Sequence, residues 1–142
     1  MIYLDTSVIA PLYWTEALSG AIEELLRNEP EPALSQLVEV ELISALSRRV
    51  RMAEIVPEEA QAIANRFQMD LDRDFYTRLR VEPIHYTTAR DWISQFDTPL
   101  RTLDALHLAI AAAHDIPLVT ADAGLAESAR RLGVEAQTLT PL

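Results

Sequence analysis

No cysteine and no lysine occur among the 142 residues of this chain, and glycine occurs only three times. Without cysteine there is no disulfide framework, no thiolate nucleophile and no Cys-based zinc or iron–sulfur centre. That absence fits a reducing cytosol. Without lysine, a P-loop loses the cation it places beside phosphates, and Schiff-base chemistry has no candidate. The few glycines exclude collagen-like and linker-rich architectures. All 12 basic residues are arginine, and they face 22 acidic ones, for a net charge of -10. Such a chain repels polyanions at long range, so a nucleic-acid partner would require local arginine patches or bound cations. The start of the chain has no basic segment leading into a long apolar run. The densest apolar segment, Leu103 to Ala113, is well under the roughly 20 residues of a membrane span and holds Asp104 and His107. These features predict a soluble, cytoplasmic protein with no membrane segment.

What is present suits one domain with an ample core: 49% of the residues are apolar. Ile2-Tyr3-Leu4 reads as a short buried strand running into Asp5-Thr6-Ser7, a helix start. Helical patterns follow over Ser7 to Tyr13 and Ala17 to Arg27, the second stopped by Pro30-Glu31-Pro32. Ala33 to Ser35 is a candidate strand. Gln36 to Arg51 is helical by spacing, and Pro57-Glu58-Glu59 opens a helix to about Asp70, with a continuation toward Arg78. Val81 to Ile84 reads as a third strand, placed at an edge by Pro83, and Thr87 or Thr88 caps a helix to Phe96. Leu103 to His114 is apolar nearly all round, as in a buried helix. Ile116 to Thr120 is a strand, Ala123 to Leu132 a helix ended by Gly133, and Val134 to Leu139 a final strand. Alternation of short apolar strands with helices predicts an α/β fold: a single domain over 1–142, its parallel sheet of about four or five strands covered by helices on both faces.

Four acids stand out against this background. Ligands of an open parallel sheet bind beyond the carboxyl ends of its strands, where Asp5 and Asp122 fall. Glu41 and Asp104 lie inside apolar helical stretches, and a carboxylate there is costly unless something positive meets it. With lysine absent, a cluster of three or four hard-oxygen ligands describes a magnesium or manganese site. Each acid also has a structural reading. Asp5 and Asp122 could cap the helices that follow them, and Glu41 could flank its helix as Glu39 does. His107, three residues after Asp104, reads as a metal ligand, a general base or a core histidine bonded to a carboxylate. Tyr13, Trp14, Trp92 and Phe96 read as core or interface. Arg48, Arg49 and Arg51 either complement a helix dipole or contact phosphates, being the densest positive charge in the chain.

Ile2-Tyr3-Leu4-Asp5-Thr6-Ser7, Glu41-Leu42 in a helix ending in arginines, Leu103-Asp104-Ala105-Leu106-His107-Leu108-Ala109 and Val119-Thr120-Ala121-Asp122 resemble the PIN-domain ribonucleases. Among these, the match is to the VapC-type toxins of bacterial toxin–antitoxin pairs, and it spans nearly the whole chain. The resemblance implies a PIN-like domain whose Asp5, Glu41, Asp104 and Asp122 form an acidic catalytic site for Mg²⁺ or Mn²⁺, with Asp5 and Asp104 first among the direct ligands. Thr6 and Thr120 correspond to hydroxyl residues that order carboxylates or waters. It further implies metal-dependent endonucleolytic cleavage of RNA, a homodimer, and inhibition by an antitoxin that occludes the site. Arg48, Arg49 and Arg51 are then the candidate RNA contacts. One or two ions would fit such a site. Two rival readings are a haloacid-dehalogenase-like phosphatase with Asp5 as nucleophile, and a catalytically silent antitoxin-binding module. Against the phosphatase stand the missing lysine and Ser7, where a second aspartate is expected.

Overall fold

The pleat of a strand sends alternate side chains to opposite faces. Strand β1 (Ile2–Leu4) accordingly turns Ile2 and Leu4 toward one buried cluster and Tyr3 toward another. The structure, a computed structural model, describes residues 1–29 and 31–142. β1 pairs in parallel with β2 (Pro32–Ser35) and β4 (Leu118–Thr120), and β3 (Thr77–Leu79) and β5 (Ala136–Thr138) complete the sheet in the order β3-β2-β1-β4-β5. The first cluster packs Leu4, Leu34 and Val119 against Val8 and Ile9 of α1 (Thr6–Ile9), Ile22 of α2 (Ser19–Asn28), Val38 and Leu42 of α3 (Gln36–Arg51), and Phe67 and Leu71 of α4 (Pro57–Asp72). The second packs Tyr3, Ala33 and Leu118 against Ala89 of α5 (Pro83–Ile93), Leu106 and Ile110 of α6 (Thr102–Ala113), and Leu125 and Ala129 of α7 (Ala123–Arg131). Helices therefore cover both faces of one five-stranded, all-parallel α/β sheet. Residues Ala105 to Ala111 of α6 are buried without a break, as the all-round apolar pattern predicts. Among the described residues no helix is long and apolar enough to cross a membrane.

Strand order reverses direction between β1 and β4. That is the topological switch point, where the carboxyl ends of neighbouring strands open a crevice. Asp5 follows β1 there and Asp122 follows β4.

The region from 70 to 96 departs from expectation. α4 stops at Asp72 rather than continuing toward Arg78, and the third strand is Thr77–Leu79 rather than Val81 to Ile84. Pro83 opens α5 instead of interrupting an edge strand. Its missing N–H costs nothing at a first helical position, and Glu82 and His85 form a reciprocal cap around it. Thr87 and Thr88 consequently sit inside α5, which ends at Ile93. Early in the chain, the expected Ser7 to Tyr13 helix is the single turn α1 followed by a 3-10 turn over Ala10–Leu12. Pro30, expected to stop α2, lies outside the described residues.

Scarce glycine has a visible consequence. After α7, Gly133 takes the left-handed conformation (φ 77°) that favours glycine. After α3, α4, α5 and α6 the same conformation is adopted by Ala53, Asp74, Phe96 and Asp115, with φ of 57°, 56°, 55° and 52°. A side chain there costs on the order of 1–2 kcal/mol. Ala53 is exposed, and its N–H bonds the Val50 carbonyl at 3.0 Å. Ala53→Gly should raise the unfolding free energy by up to about 1 kcal/mol after the unfolded-state entropy of glycine is set against the relieved strain. Urea denaturation checks this: the midpoint should rise at unchanged slope, and an unmoved midpoint would show the turn to be unstrained.

Candidate active site

Four carboxylates are carried to the switch-point crevice by four different elements. Asp5 lies in the turn from β1 into α1 and is almost fully buried. Its Oδ1 accepts from the Ser7 backbone N–H at 3.0 Å and from the Ser7 hydroxyl at 2.5 Å. Ser7 Oγ in turn accepts from the Ala121 N–H at 2.9 Å and lies 3.4 Å from Thr120 Oγ1, tying the end of β1 to the end of β4. Asp122 caps α7: its Oδ1 accepts from the Gly124 and Leu125 amides at 2.8 and 3.1 Å. The buried Thr120 hydroxyl accepts from the Asp122 N–H at 3.1 Å. Both aspartates are thus caps, as their structural readings anticipate, but each still lies at a strand's carboxyl end.

Glu41 sits in α3 with its side chain 28% exposed. Its Oε1 accepts from the Thr6 hydroxyl at 3.1 Å and meets Nε2 of His107. No described residue bonds its Oε2. Asp104 lies in the first turn of α6 and accepts no hydrogen bond from any described residue, although it is partly buried. Burial raises its carboxyl above the ordinary aspartate range, the charge on Asp122 raises it further, and those on Asp5 and Glu41 add to this while His107 opposes it. Each of the other three acids therefore lies within electrostatic reach of Asp104.

Asp5 and Glu41 are shifted by burial and by their hydrogen-bonding and charged neighbours, with no other carboxylate among the causes. Burial pushes Asp5 above its usual value, and the bonds from Ser7 and Thr120 and the nearby His107 only partly reverse this. Glu41 is raised by burial too, but its bond to His107, the field of that ring and the Thr6 hydroxyl hold it below the ordinary glutamate value on balance.

The donor set is all oxygen, and no arginine bonds any of the four carboxylates. Such a set matches a hard divalent cation. Among the described residues no three His, Asp or Glu side chains are drawn together into a ready-made metal cage. The fit is accordingly to an ion that keeps several water ligands and takes only one or two carboxylates directly.

A cleft of about 720 Å³ runs outward from this site. Thr6, Glu41, Leu103 and Trp14 line it together with Arg48, Arg49 and Arg51, and Glu16 and Glu54 also border it. The Arg49 guanidinium lies 5.3 Å from the Trp14 ring centroid and pairs with Glu54 at 3.3 Å. Arg51 donates to Ser47 Oγ at 2.8 Å. The three arginines end α3, so the structure leaves them on the helix terminus and on the cleft at once. A smaller cavity of about 320 Å³ borders Asp104 and Asp122, with Arg101 at its edge.

Every acid and hydroxyl singled out in the sequence lies at this end of the sheet. Sequence reasoning assigned no site role to Ser7, Tyr3 or Ser35, and read Trp14 as core or interface, whereas it packs against the core and also lines the cleft. Ser7 was legible as the third residue of an Asp-x-Ser turn, since an Asp side chain commonly bonds the backbone two residues on. Tyr3 was hidden by its resemblance to any other strand apolar. His107 is a core histidine, 2% exposed and bonded to a carboxylate.

The PIN domain family model matches residues 2–131. This chain belongs to the PIN-domain family. Three solved structures show how widely the fold is shared. VapC20 of Mycobacterium tuberculosis, a Sarcin-Ricin loop cleaving toxin, is 21% identical with a TM-score of 0.71, covering 90% of this chain and 95% of that one. VapBC2 from Rickettsia felis, bound to a promoter DNA fragment, is 19% identical with a TM-score of 0.70, covering 99% and 100%. DNA-bound VapBC from Salmonella typhimurium is 18% identical with a TM-score of 0.72, again covering 99% and 100%. No curated protein matches the sequence.

Crowded carboxyls imply a definite pH behaviour. Because the native environment raises Asp104 above its unfolded value, the metal-free protein loses stability as pH rises through the Asp104 titration. Asp104→Asn removes that loss. Its melting temperature should exceed that of the wild type by about 2–4 °C at pH 7, a gain kept small by solvent screening. The difference should close below about pH 3.9, where the aspartate is neutral even unfolded. Calorimetry in chelator-treated buffer measures both. A variant less stable at pH 7 would mean that Asp104 is stabilised rather than strained by its neighbours.

Proposed function

We propose that this chain is a VapC-type endoribonuclease toxin that hydrolyses phosphodiester bonds with Mg²⁺ or Mn²⁺. The observation that carries the reading is one cleft lined both by Glu41, a member of the acidic group, and by Arg48, Arg49 and Arg51. An acidic centre alone would repel a phosphate chain, and an arginine cluster alone would be a helix end. Side by side, they suit a polyanion drawn in by guanidinium groups and cut beside the carboxylates. Family membership and the toxin structures that share the fold support the same reading.

Asp5, Glu41, Asp104 and Asp122 would hold the ion, with Asp5 and Asp104 first among its direct ligands. A bound divalent cation supplies charge neutralisation and lowers the pKa of its water. The rest is the work of the chain. Ser7 and Thr120 fix the Asp5 carboxylate, and Thr6 and His107 hold one oxygen of Glu41 so that the other is left for the cleft. The Asp122 cap on α7 anchors the fourth acid to a helix terminus. Arg48, Arg49 and Arg51 hold the strand by its phosphates, and hydrolysis leaves a 5′-phosphate and a 3′-hydroxyl.

Two apolar surfaces fit the protein partners of this class. Between α3 and α4 lies a groove of about 540 Å³ lined by Val40, Ile43, Phe67 and Leu71, with Val40 70% exposed. Ser44 borders both this groove and the acidic cleft, so an antitoxin segment seated in it would reach and occlude the site. On the far side, Tyr86, Ile93 and the 90%-exposed Phe96 edge a second groove between α5 and α6, suited to the homodimer contact. The cytoplasm is the compartment consistent with a cysteine-free toxin acting on RNA. The phosphatase alternative is disfavoured because the chain has no lysine and Ser7 stands where that family places a second aspartate.

Purified protein should cut RNA oligonucleotides with Mg²⁺ or Mn²⁺ and stop on addition of a chelator. Folded Asp104→Asn should be inactive. Undiminished cleavage in either case would defeat the assignment. Replacing Arg48, Arg49 and Arg51 together by alanine should weaken RNA binding and flatten its logarithmic salt slope by up to about 2, given roughly 0.7 per single-strand phosphate contact. An unchanged slope would return these arginines to capping a helix.

A further inference from the structure

Behind Glu41 runs a chain of polar side chains that the core does not need. Tyr3 is fully buried, as is Ser35, and His107 nearly so. The Tyr3 hydroxyl lies 2.7 Å from Ser35 Oγ and 2.6 Å from His107 Nδ1, and Nε2 of the same ring meets Glu41 Oε1. Ser35 Oγ also accepts from the Leu37 N–H at 3.3 Å, capping α3. The chain thus leaves α3 at its first turn, crosses β1 and α6, and returns to α3 at Glu41.

One assignment of protons satisfies every member. His107 donates through Nε2–H to Glu41 and accepts at Nδ1 from the Tyr3 hydroxyl. Tyr3 in turn accepts from Ser35, whose oxygen accepts from Leu37. Burying a phenol, an imidazole and a hydroxyl in a sheet core is costly unless all are paired, and apolar groups of similar shape are often as stable or more so. Fold stability therefore gives a reason for Ser35, the cap of α3, but none for Tyr3 and His107. The outlet of the network gives one. Glu41 borders the cleft, and both of its hydrogen bonds, from Thr6 and from His107, fall on Oε1.

We propose that Tyr3 and His107 are positioning residues for the active site, holding Oε1 of Glu41 inward through a buried hydrogen-bonded chain so that Oε2 faces the cation and the RNA. This rests on the nuclease reading above. Partners standing behind a metal-site carboxylate typically influence metal affinity or activity by 10–100-fold.

Tyr3→Phe deletes a single oxygen and keeps the packed ring. Mn²⁺ affinity, read from the electron paramagnetic resonance of free ion, should fall about 10-fold or more. Turnover of RNA should fall similarly with KM unchanged and the circular dichroism of the wild type retained. His107→Leu should do the same, and His107→Gln, which keeps a donor toward Glu41, should recover most of the loss. Ile110→Val, a buried change on α6 outside the chain, should leave Mn²⁺ affinity and turnover within 2-fold. If His107→Leu does not fold, Tyr3→Phe decides. Folded Tyr3→Phe with the Mn²⁺ affinity and turnover of the wild type would make the chain purely structural and overturn the proposal alone. A wild-type protein that binds no Mn²⁺ and cuts no RNA would overturn the nuclease reading and this inference together.

Discussion

The cost of burying carboxyl groups is the constraint around which this end of the molecule is built. Asp104 is raised by burial and by each of Asp122, Asp5 and Glu41, yet no arginine is bonded to any of them, and the chain has no lysine to send. Under the proposed nuclease reading, a fold stable by only a small margin carries such a site because the strain would be the source of affinity for a divalent ion. The scaffold meets the cost locally. Ser7, itself 3.4 Å from the Thr120 hydroxyl, braces Asp5, two α7 amides brace Asp122, and Thr6 and His107 brace Glu41. Asp104 alone of the four is bonded by no described residue, which in the proposed site would make it the acid most dependent on an ion.

The excess of acid over base becomes intelligible in the same terms. At long range a net charge of -10 opposes RNA. At short range the cleft sets Arg48, Arg49 and Arg51 along one helix end, beyond Glu41 on the same α3. From Glu41 to Arg48 is seven residues, about 10 Å of helix at 1.5 Å per residue, so in the proposed nuclease the guanidinium and carboxylate groups would act on different parts of one strand. Screening at cellular salt confines the global repulsion to about 8 Å, which would leave the local arrangement in charge once a strand arrives.

Much of this was legible in the residues themselves. Short apolar runs ending in Asp or Thr announced parallel strands and placed Asp5 and Asp122 at carboxyl ends. The unbroken apolar character of Leu103 to Ala113 announced a buried helix, and Asp104 stood out against it. What stayed hidden follows from physics that local pattern does not carry. Pro83 serves equally at a strand edge or a helix start, and the reciprocal bonds of Glu82 and His85 decide between them only in three dimensions. Tyr3 reads as one more strand apolar until β1, β2 and α6 bring Ser35 and His107 to its hydroxyl. The left-handed turns at Ala53, Asp74, Phe96 and Asp115 were masked because the residue type that usually marks them is absent there.

The central claim is that four distant carboxylates form a single cation site. Anomalous X-ray scattering from crystals soaked in Mn²⁺ tests it most directly. The account predicts one or two peaks bounded by the side chains of Asp5, Glu41, Asp104 and Asp122. A fully soaked crystal with no peak among them, or with manganese bound only elsewhere on the surface, would contradict it.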